Sequence, residues 1–263
     1  MNYLYVYLVL FLYFFIWFLI SQIKRNNSLV DIAWGASIIV TAVSSLLISK
    51  NFNFITITTL LLVVLWGLRL SVYLFIRNWN KPEDFRYMAM RKKWQSNLTI
   101  KAFLKVFLTQ SLFSYLISIP IIMINFYSDN FKNTIQIIIF IIGISLFIIG
   151  YLFEVIGDKQ LKNFKKKSIN KGKIIKSGLW KYTRHPNYFG EVTLWWGFGI
   201  IAIAIFKPIT LIGLISPIII TILLLYVTGV PLLEKRYENN LEYQEYKKTT
   251  SKFFPLPQKN SNH

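Results

Sequence analysis

The chain has 263 residues, of which 54% are hydrophobic and 17% aromatic, and 30 Lys and Arg against 11 Asp and Glu give it a formal net charge of +19. It contains no cysteine, which excludes disulfides, thiol nucleophiles and thiolate metal sites. With only His185 and His263 available, a His-rich metal site is also unexpected, so no metal is predicted. We do not attribute the charge to nucleic-acid binding, because no soluble module is visible in the sequence.

Long apolar runs dominate the chain. A helix needs about 20 apolar residues to cross about 30 Å of hydrocarbon. Seven runs meet that length, at residues 2–20, 29–49, 54–76, 102–127, 134–156, 189–206 and 209–230. We interpret the first as a retained helix, since no Lys or Arg precedes it and no small-residue cleavage site follows. The predicted fold is therefore all-α and polytopic, with about seven transmembrane helices in a single integral membrane domain, 1–263.

The connections between these runs alternate in charge. Basic residues crowd the connections after the first, third, fifth and seventh runs, whereas the others offer little beyond Lys50, Lys132 and Lys207. The positive-inside rule then predicts the N-terminus outside and the C-terminus in the cytoplasm.

Two of the basic segments have the mixture of charged and apolar residues that is typical of helices at a membrane surface. We expect a short interfacial helix within Asn78–Ile100 and an amphipathic helix in the tail, 232–252, which Pro255 and Pro257 follow.

Ionisable and phenolic residues inside the predicted spans lie at one depth. Four different spans carry them near the cytoplasmic end, so we predict a polar cavity that opens to the cytoplasm. The alternative for any single residue is an ion pair within the bundle or a snorkelling side chain. Spacing of i, i+4 and i+8 puts each of two sets on one helix face. The residues concerned are Asp31, Arg69, Tyr73, Arg77, Glu154, Asp158, Lys162 and Glu191.

The segment 177–191 combines a cation, an imidazole, an amide, a phenol and a carboxylate at the start of an apolar run. A helix that begins after Pro186 offers free N–H groups and a positive dipole to phosphates, and nearby lysines add charge. The simpler alternative is that Arg184 and His185 snorkel while Tyr188 and neighbouring tryptophans form an aromatic belt. The combination with Glu191 favours a binding site.

The run Gly178–Glu191, followed by Trp195-Trp196-Gly197, resembles the C-terminal domain of steroid 5α-reductases and their bacterial relatives. Val30–Gly35, Trp66–Leu70 and Glu83–Tyr87 look like the same bacterial relatives, so the likeness extends over residues 28–255. It implies an NADPH-dependent oxidoreductase of a bacterial inner membrane that reduces a carbon–carbon double bond in a steroid-like or other lipid substrate. The cofactor would bind from the cytoplasmic side to the half near 134–255. The implied partners are the bilayer and a hydrophobic small molecule, and the oligomeric state is not predicted.

The same resemblance implies roles for particular residues. Asn187 and Glu191 fall where the family contacts its cofactor, and Asp158 resembles the family's Asp that is followed by basic residues. Lys162 and Lys165 stand where arginines are more usual, and lysine acts on a phosphate only as a point charge. The full set of predicted cofactor-binding residues is Arg69, Arg77, Glu154, Asp158, Lys162, Lys165, Arg184, His185, Asn187, Tyr188, Glu191 and Tyr246.

The chain departs from steroid reductases where the proton would be delivered. Those enzymes use a Gln-Glu pair and a Tyr, whereas this chain has Val30-Asp31 and, near the Tyr position, Trp66. An indole cannot protonate an enolate, so the candidate catalytic residues are Asp31 and Tyr73, or the substrate differs from an enone steroid. The family's C-terminal His has no counterpart.

A second family is similar to the same motif. Arg184–Gly190 and Glu242–Lys248 resemble blocks of the isoprenylcysteine carboxyl methyltransferases, which bind S-adenosylmethionine. The alternative function is therefore methyl transfer to a lipid or lipid-linked carboxyl group. A non-catalytic lipid-binding membrane protein is the third hypothesis, because the proton donor is not assigned.

Overall fold

The computed structural model describes residues 2–259, and His263 lies outside them. Within that range the chain is helical and no residue belongs to a β-strand, the nearest approach being an isolated bridge between Thr183 and Ser251. The all-α prediction is confirmed. The α-helices are α1 (Asn2–Ile23), α2 (Val30–Ser49), α3 (Phe54–Asn78), α4 (Phe85–Trp94), α5 (Leu98–Ala102), α6 (Thr109–Ile117), α7 (Ile119–Tyr127), α8 (Thr134–Lys166), α9 (Pro186–Ile203), α10 (Ile215–Ile222), α11 (Val230–Arg236) and α12 (Leu241–Thr249).

Six continuous helical stretches of the described chain are long and apolar enough to cross a membrane. They are Asn2–Ile23, Asn27–Ser49, Phe54–Asn78, Leu98–Ile117, Thr134–Lys166 and Pro208–Arg236. The predicted span 189–206 is present as α9 but is not one of the six, because its polar first turns and its tryptophans lower its mean hydropathy. The protein is thus a polytopic membrane protein, while the count of seven and the orientation stay predictions.

Two predicted spans are less regular than the sequence suggested. The run 102–127 contains a π-helical stretch, Phe103–Leu108, and divides at Ser118 into α6 and α7. Pro120 favours this division because it lacks a backbone N–H and fits only the first turn of a new helix. The last span begins as a 3₁₀-helix, Pro208–Leu214, and contains a second π-helical stretch, Leu223–Val227.

Side chains that bond to backbone N–H groups start several helices. Asn53 forms a capping box with Thr56 at the start of α3, and Asp84 and Asn240 cap α4 and α12. Helix α4 confirms the short helix expected in Asn78–Ile100. The tail helix expected over 232–252 is instead two helices, α11 and α12, separated by turns that precede the Asn240 cap.

The described residues form two compact units, 2–136 with 202–215 and 137–201 with 216–259. In the first unit, α2 and α3 touch through glycine, since a methyl group on Gly35 would lie 2.6 Å from the carbonyl oxygen of Gly67. In the second unit, α8 and α9 are likewise in contact at glycine residues. The predictions of one domain over 1–263 and of a cofactor-binding half near 134–255 stay predictions.

Candidate functional site

Arg184 is buried in the second unit and bonds to the C-terminal segment (residues 230–256). Its Nε and Nη2 donate to Glu234 Oε1 at 3.0 and 2.8 Å, and its Nη1 donates to the carbonyl oxygens of Thr250 and Lys247 at 2.6 and 3.2 Å. The guanidinium therefore joins the motif to the tail. Its predicted contact with a cofactor stays a prediction.

Glu234 is a residue that the sequence analysis missed. Its Oε1 accepts from Arg184 and lies 3.2 Å from His185 Nε2, and its Oε2 is 3.7 Å from Lys247 Nζ. The Glu234 carboxylate is strongly held, because burial strengthens its charge-assisted hydrogen bonds to Arg184. The signal in the sequence was an acidic residue close behind the last apolar run, in a chain with only 11 acidic residues.

His185 is buried beside this carboxylate. Its Nε2 bonds to Glu234, its ring stacks on Tyr188 with centroids 5.7 Å apart, and its Nδ1 has no hydrogen-bond partner among residues 2–259. A carboxylate next to Nε2 favours the tautomer with the proton on that nitrogen. Burial lowers the pKa of His185, although the hydrogen bond to Glu234 opposes the shift. The imidazole is therefore neutral at pH 7.

Tyr246, on α12, holds the other side of the motif. Its hydroxyl donates to the carbonyl oxygens of Trp180 and Thr183, and burial raises its pKa. Backbone bonds continue the contact, from Arg184 N to Ser251 O at 2.9 Å. A group predicted to touch the cofactor therefore also fastens α12 to the motif.

Arg184, His185 and Tyr246 line a cavity of about 110 Å³ in the second unit. Four of the residues that line it were predicted to bind a cofactor, namely Lys165, Arg184, His185 and Tyr246. It adds residues that the sequence analysis did not select, among them Lys173, Trp180, Tyr237 and Tyr243. The complete lining is Leu161, Phe164, Lys165, Lys173, Ile174, Ile175, Trp180, Arg184, His185, Leu233, Tyr237, Tyr243 and Tyr246.

Helices α8 and α9 bring together further predicted residues. Glu154, Asp158 and Lys162 share the single helix α8, as their spacing predicted. Asn187, in the first turn of α9, donates from Nδ2 to Asp158 Oδ1 at 3.3 Å. Glu154 is buried, and Glu191 lies one turn after Asn187. An amide and three carboxylates thus occur on two adjacent helices.

Asp31 belongs to the first unit, where it accepts two hydrogen bonds from α4. Tyr87 Oη donates to its Oδ1 at 2.7 Å and Arg86 Nη2 to its Oδ2 at 2.9 Å, while Arg86 Nε donates to Asp84 at 2.9 Å. Burial raises the pKa of Tyr87, so its phenol is protonated at neutral pH. Asp31 therefore fastens α4 to the start of α2. Tyr87 was noted only for its place in the family likeness, and its contact with Asp31 joins residues too far apart for any local pattern.

Arg69, Tyr73 and Arg77 lie on α3 of the same unit. The guanidinium carbons of the two arginines are 5.7 and 5.3 Å from the centre of the Tyr73 ring, within the range of a cation–π contact. The predicted site residues thus fall into two groups, with Asp31 and the α3 residues in the first unit and the others in the second. The single shared cavity and the catalytic roles of Asp31 and Tyr73 stay predictions.

Comparison with known proteins identifies relatives of this chain. The sequence profile of a family described as a protein of unknown function (DUF1295) matches residues 17–250. Over 61 residues the chain is 38% identical to the 3-oxo-5-alpha-steroid 4-dehydrogenase 1 of Bos taurus and 36% identical to that of Homo sapiens, and each match covers 23% of this chain and 24% of the relative. The steroid 5-alpha-reductase DET2 of Gossypium hirsutum is 36% identical over the same length, with the same coverage. The match thus covers about a quarter of the length of these relatives. No solved structure matches the chain.

Proposed function

The chain belongs to the DUF1295 family, within the steroid 5α-reductase-like superfamily, and from this premise we propose that it is a membrane-embedded reductase that uses NADPH. The proposed reaction is reduction of a carbon–carbon double bond in a steroid-like or other lipid substrate. The relatives named above are, by name, a steroid 5-alpha-reductase and two 3-oxo-5-alpha-steroid 4-dehydrogenases, and the likeness covers only part of each. The reductase activity and the lipid substrate class are therefore proposed for this chain.

The observation that carries the proposal is the group of polar residues at the start of α9 beside the cavity. Asn187 and Asp158 are bonded to each other, Glu191 follows one turn later, and Lys165 and Arg184 line the cavity. The chemistry of these groups suits a reduced dinucleotide. Its phosphates need cations, and its amide-bearing ring needs matched hydrogen-bond donors and acceptors. At about 110 Å³, however, the cavity is smaller than the roughly 300–1,000 Å³ of typical ligand sites, so it suits one end of the cofactor.

The division of labour follows from the chemistry. When bound, NADPH supplies the hydride, while the protein binds and orients it and excludes water. Lys162 and Lys165 on α8 would hold phosphate, and Asn187 and Glu191 would orient the amide-bearing end. Asp31 and Tyr73 remain the candidates for holding or moving the proton. Tyr87 joins them, since its phenol is protonated and is bonded to Asp31.

The membrane supports a lipid as the substrate. A hydrophobic molecule can enter sideways from the bilayer, whereas a charged cofactor has to arrive from water. We propose that the cofactor site faces the cytoplasm of a bacterial inner membrane, because the basic connections adjoin that end of the spans.

Thermal unfolding of the detergent-solubilised protein tests the choice of cofactor. A ligand at a hundred times its Kd adds about 2.7 kcal/mol to the stability of the folded state. We expect NADPH to raise the Tm and S-adenosylmethionine to leave it unchanged, and the NADPH effect to shrink with added salt as exposed charges are screened. A rise with S-adenosylmethionine alone would favour the methyltransferase alternative and reject the reductase.

Replacement of Glu191 tests the site itself. Glu191→Gln removes a charge-assisted hydrogen bond worth about 1.5–3 kcal/mol, so the affinity for NADPH should fall by roughly ten- to a hundredfold. Glu245→Gln is the matched control, because Glu245 is exposed on α12 and pairs with the exposed Lys248. Equal NADPH affinity in the two variants would remove Glu191 from the site.

A further inference from the structure

Helix α4, in the first unit, is bonded at both ends to the beginnings of spanning helices. Near its start, Tyr87 Oη donates to Asp31 Oδ1 at 2.7 Å, and Asp31 lies in the first turn of α2. At its end, the carbonyl oxygen of Trp94 accepts from Lys101 Nζ at 2.8 Å, and Lys101 lies at the start of the spanning stretch Leu98–Ile117. We therefore place α4 at the level where these spans leave the hydrocarbon.

The two faces of α4 differ. Tyr87 and Trp94 are buried in a hydrophobic cluster with side chains of α1 and α2. The opposite face carries Phe85, Met88 and Lys92, spaced i, i+3 and i+7, and all three are exposed. An outward stripe of large apolar side chains beside lysine is typical of a helix that lies in the surface of a bilayer.

The acidic residues at this end of the first unit are already paired with arginine. Arg86 forms ion pairs with Asp31 and Asp84, each at 2.9 Å. Arg91 forms an ion pair with Glu83, also at 2.9 Å. These three carboxylates therefore offset the two arginines of α4, and the other basic side chains nearby keep their charge.

Five further basic side chains near α4 are exposed and form no ion pair within residues 2–259. They are Lys24, Arg25, Lys81, Lys92 and Lys93. The ends of α1 and α3 are in contact, since Lys24 Nζ is 3.9 Å from the centre of the Trp79 ring and Asn26 Nδ2 donates to the carbonyl oxygen of Lys81 at 3.1 Å. This surface is strongly positive, and it favours an anionic partner.

We propose that the exposed face of α4 and these five basic residues bind the headgroups of anionic phospholipids, with Phe85 and Met88 in contact with the acyl chains. The inference is independent of the proposed reaction. A soluble anion would satisfy the charge but would leave the two apolar side chains in water, whereas a phospholipid covers both. Each Lys or Arg close to an anionic membrane surface contributes roughly a fivefold gain in binding.

The chain contains no cysteine, so a single introduced thiol can be labelled specifically. Ala89→Cys places a nitrobenzoxadiazole fluorophore on the exposed face, one turn before Lys92 and Lys93. The full-length protein is placed in phosphatidylcholine nanodiscs that contain a small fraction of nitroxide-labelled lipid. Labelled phosphatidylglycerol should quench the fluorophore more than phosphatidylcholine with the same label. We expect a local enrichment of at least about fivefold, and added salt should reduce it.

Matched variants locate the effect. In the Ala89→Cys protein, Lys92→Gln combined with Lys93→Gln should remove most of the enrichment. Lys50→Gln should leave it unchanged, because Lys50 is an exposed lysine at the other end of α2. The same fluorophore at Asn130→Cys, in the exposed connection after α7, should be quenched equally by the two lipids.

Phe85→Ser tests the apolar stripe. Both labelled lipids should quench the fluorophore at Ala89→Cys less than before, while the preference for phosphatidylglycerol and the Tm stay unchanged. Quenching that Phe85→Ser does not alter would reject the contact with acyl chains.

Three results would overturn the assignment of the basic residues. The first is equal quenching by the two lipids in the Ala89→Cys protein. The second is an equal loss of enrichment in Lys50→Gln and in the double lysine variant. The third is quenching by neither lipid together with a change in emission on addition of polyglutamate that requires Lys92. In that case the surface binds an acidic peptide and the lipid assignment is rejected.

Discussion

Arg184 and Glu234 form a largely buried ion pair in the second unit, with side chains 5% and 14% exposed. A buried pair of this kind adds little net stability over an apolar pair, but removal of one partner leaves an uncompensated charge. Here the loss would be larger still, because Glu234 also bonds to His185 and Arg184 also bonds to two backbone carbonyl oxygens. The pair is one of the contacts that attach the C-terminal segment to the motif, beside those of Tyr246 and Ser251.

Glu234→Gln should therefore destabilise the protein strongly. We expect a loss of about 3–5 kcal/mol, measured as a lower Tm in detergent, because Gln cannot neutralise Arg184. Glu245→Gln on the same tail should change stability by less than about 1 kcal/mol, since its pair with Lys248 is exposed. Similar small losses in both variants would contradict the structural role of Glu234.

His185 makes the stability depend on pH. Burial lowers its folded-state pKa below the value of about 6.5 of an unfolded histidine. Above about pH 6.5, His185 is neutral in both the folded and the unfolded state, and the free energy of unfolding does not depend on its protonation. At lower pH, the imidazole binds a proton in the unfolded chain but not in the folded chain. Stability should thus decline as the pH falls through about 6.5, by at most about 1.4 kcal/mol per pH unit for one group.

The measurement is the slope of Tm against pH between about 7.5 and 5.5, a range above the titration of ordinary carboxylates. The slope should be smaller in His185→Gln than in the wild-type protein, whatever the absolute Tm of the variant. Slopes compare better than Tm values here, because the substitution also alters a hydrogen bond to Glu234. Identical slopes would show that His185 titrates normally.

At the scale of elements, α8 and α9 depend on glycines at the helix contact. Gly143, Gly150 and Gly157 are spaced by seven residues on α8, and Gly190 and Gly197 face them from α9. Small residues let two helix backbones approach closely in a membrane, where helix association depends on packing more than on the hydrophobic effect. A methyl group on Gly190 would lie 2.5 Å from both Glu154 N and Gly150 O. At these positions the backbones of α8 and α9 thus pack directly against each other.

Gly150→Ala should separate these helices. Alanine favours a helix over glycine by about 1 kcal/mol, so a net loss of stability would have to come from the contact. We expect a net loss of about 1–3 kcal/mol, typical of overpacking, read from thermal unfolding. Gly157→Ala is the milder comparison, because its nearest neighbours would be 3.2–3.5 Å away. Increased stability in both variants would mean that the contact tolerates a side chain.

We predict the orientation of the whole molecule from the charges of its connections. A reporter fused after the last residue should report the cytoplasm, and one inserted near Asn130 should report the outside, because Lys and Arg crowd the other side. Alkaline phosphatase and green fluorescent protein fusions give opposite signals on the two sides and serve as mutual controls. Reversed signals would move the proposed cofactor site away from the cytoplasm.

Parts of the fold and of the site could be predicted because they depend on local chemistry. The thickness of the hydrocarbon sets the length of an apolar helix, and a spanning segment has to bond its own backbone, so the helical membrane class follows from composition and run length. The i, i+4 spacing put Glu154, Asp158 and Lys162 on one helix, and Pro186 marked the start of α9. The irregular last span and the division at Ser118 were harder, because an apolar run looks alike whether its helix is regular or π-helical.

The amino-acid sequence by itself determined that this protein is a bundle of membrane helices with an ionisable motif at the start of one of them. Tertiary structure alone decided the partners of that motif. Arg184 meets Glu234 across 50 residues of sequence and Asp31 meets Tyr87 across 56, and no local period encodes such pairs. The cavity likewise takes its walls from α8, the loop after it and the tail, which are adjacent only in the folded chain. Partner choice depends on which buried charges have to be neutralised once the helices have packed, and that condition exists only in three dimensions.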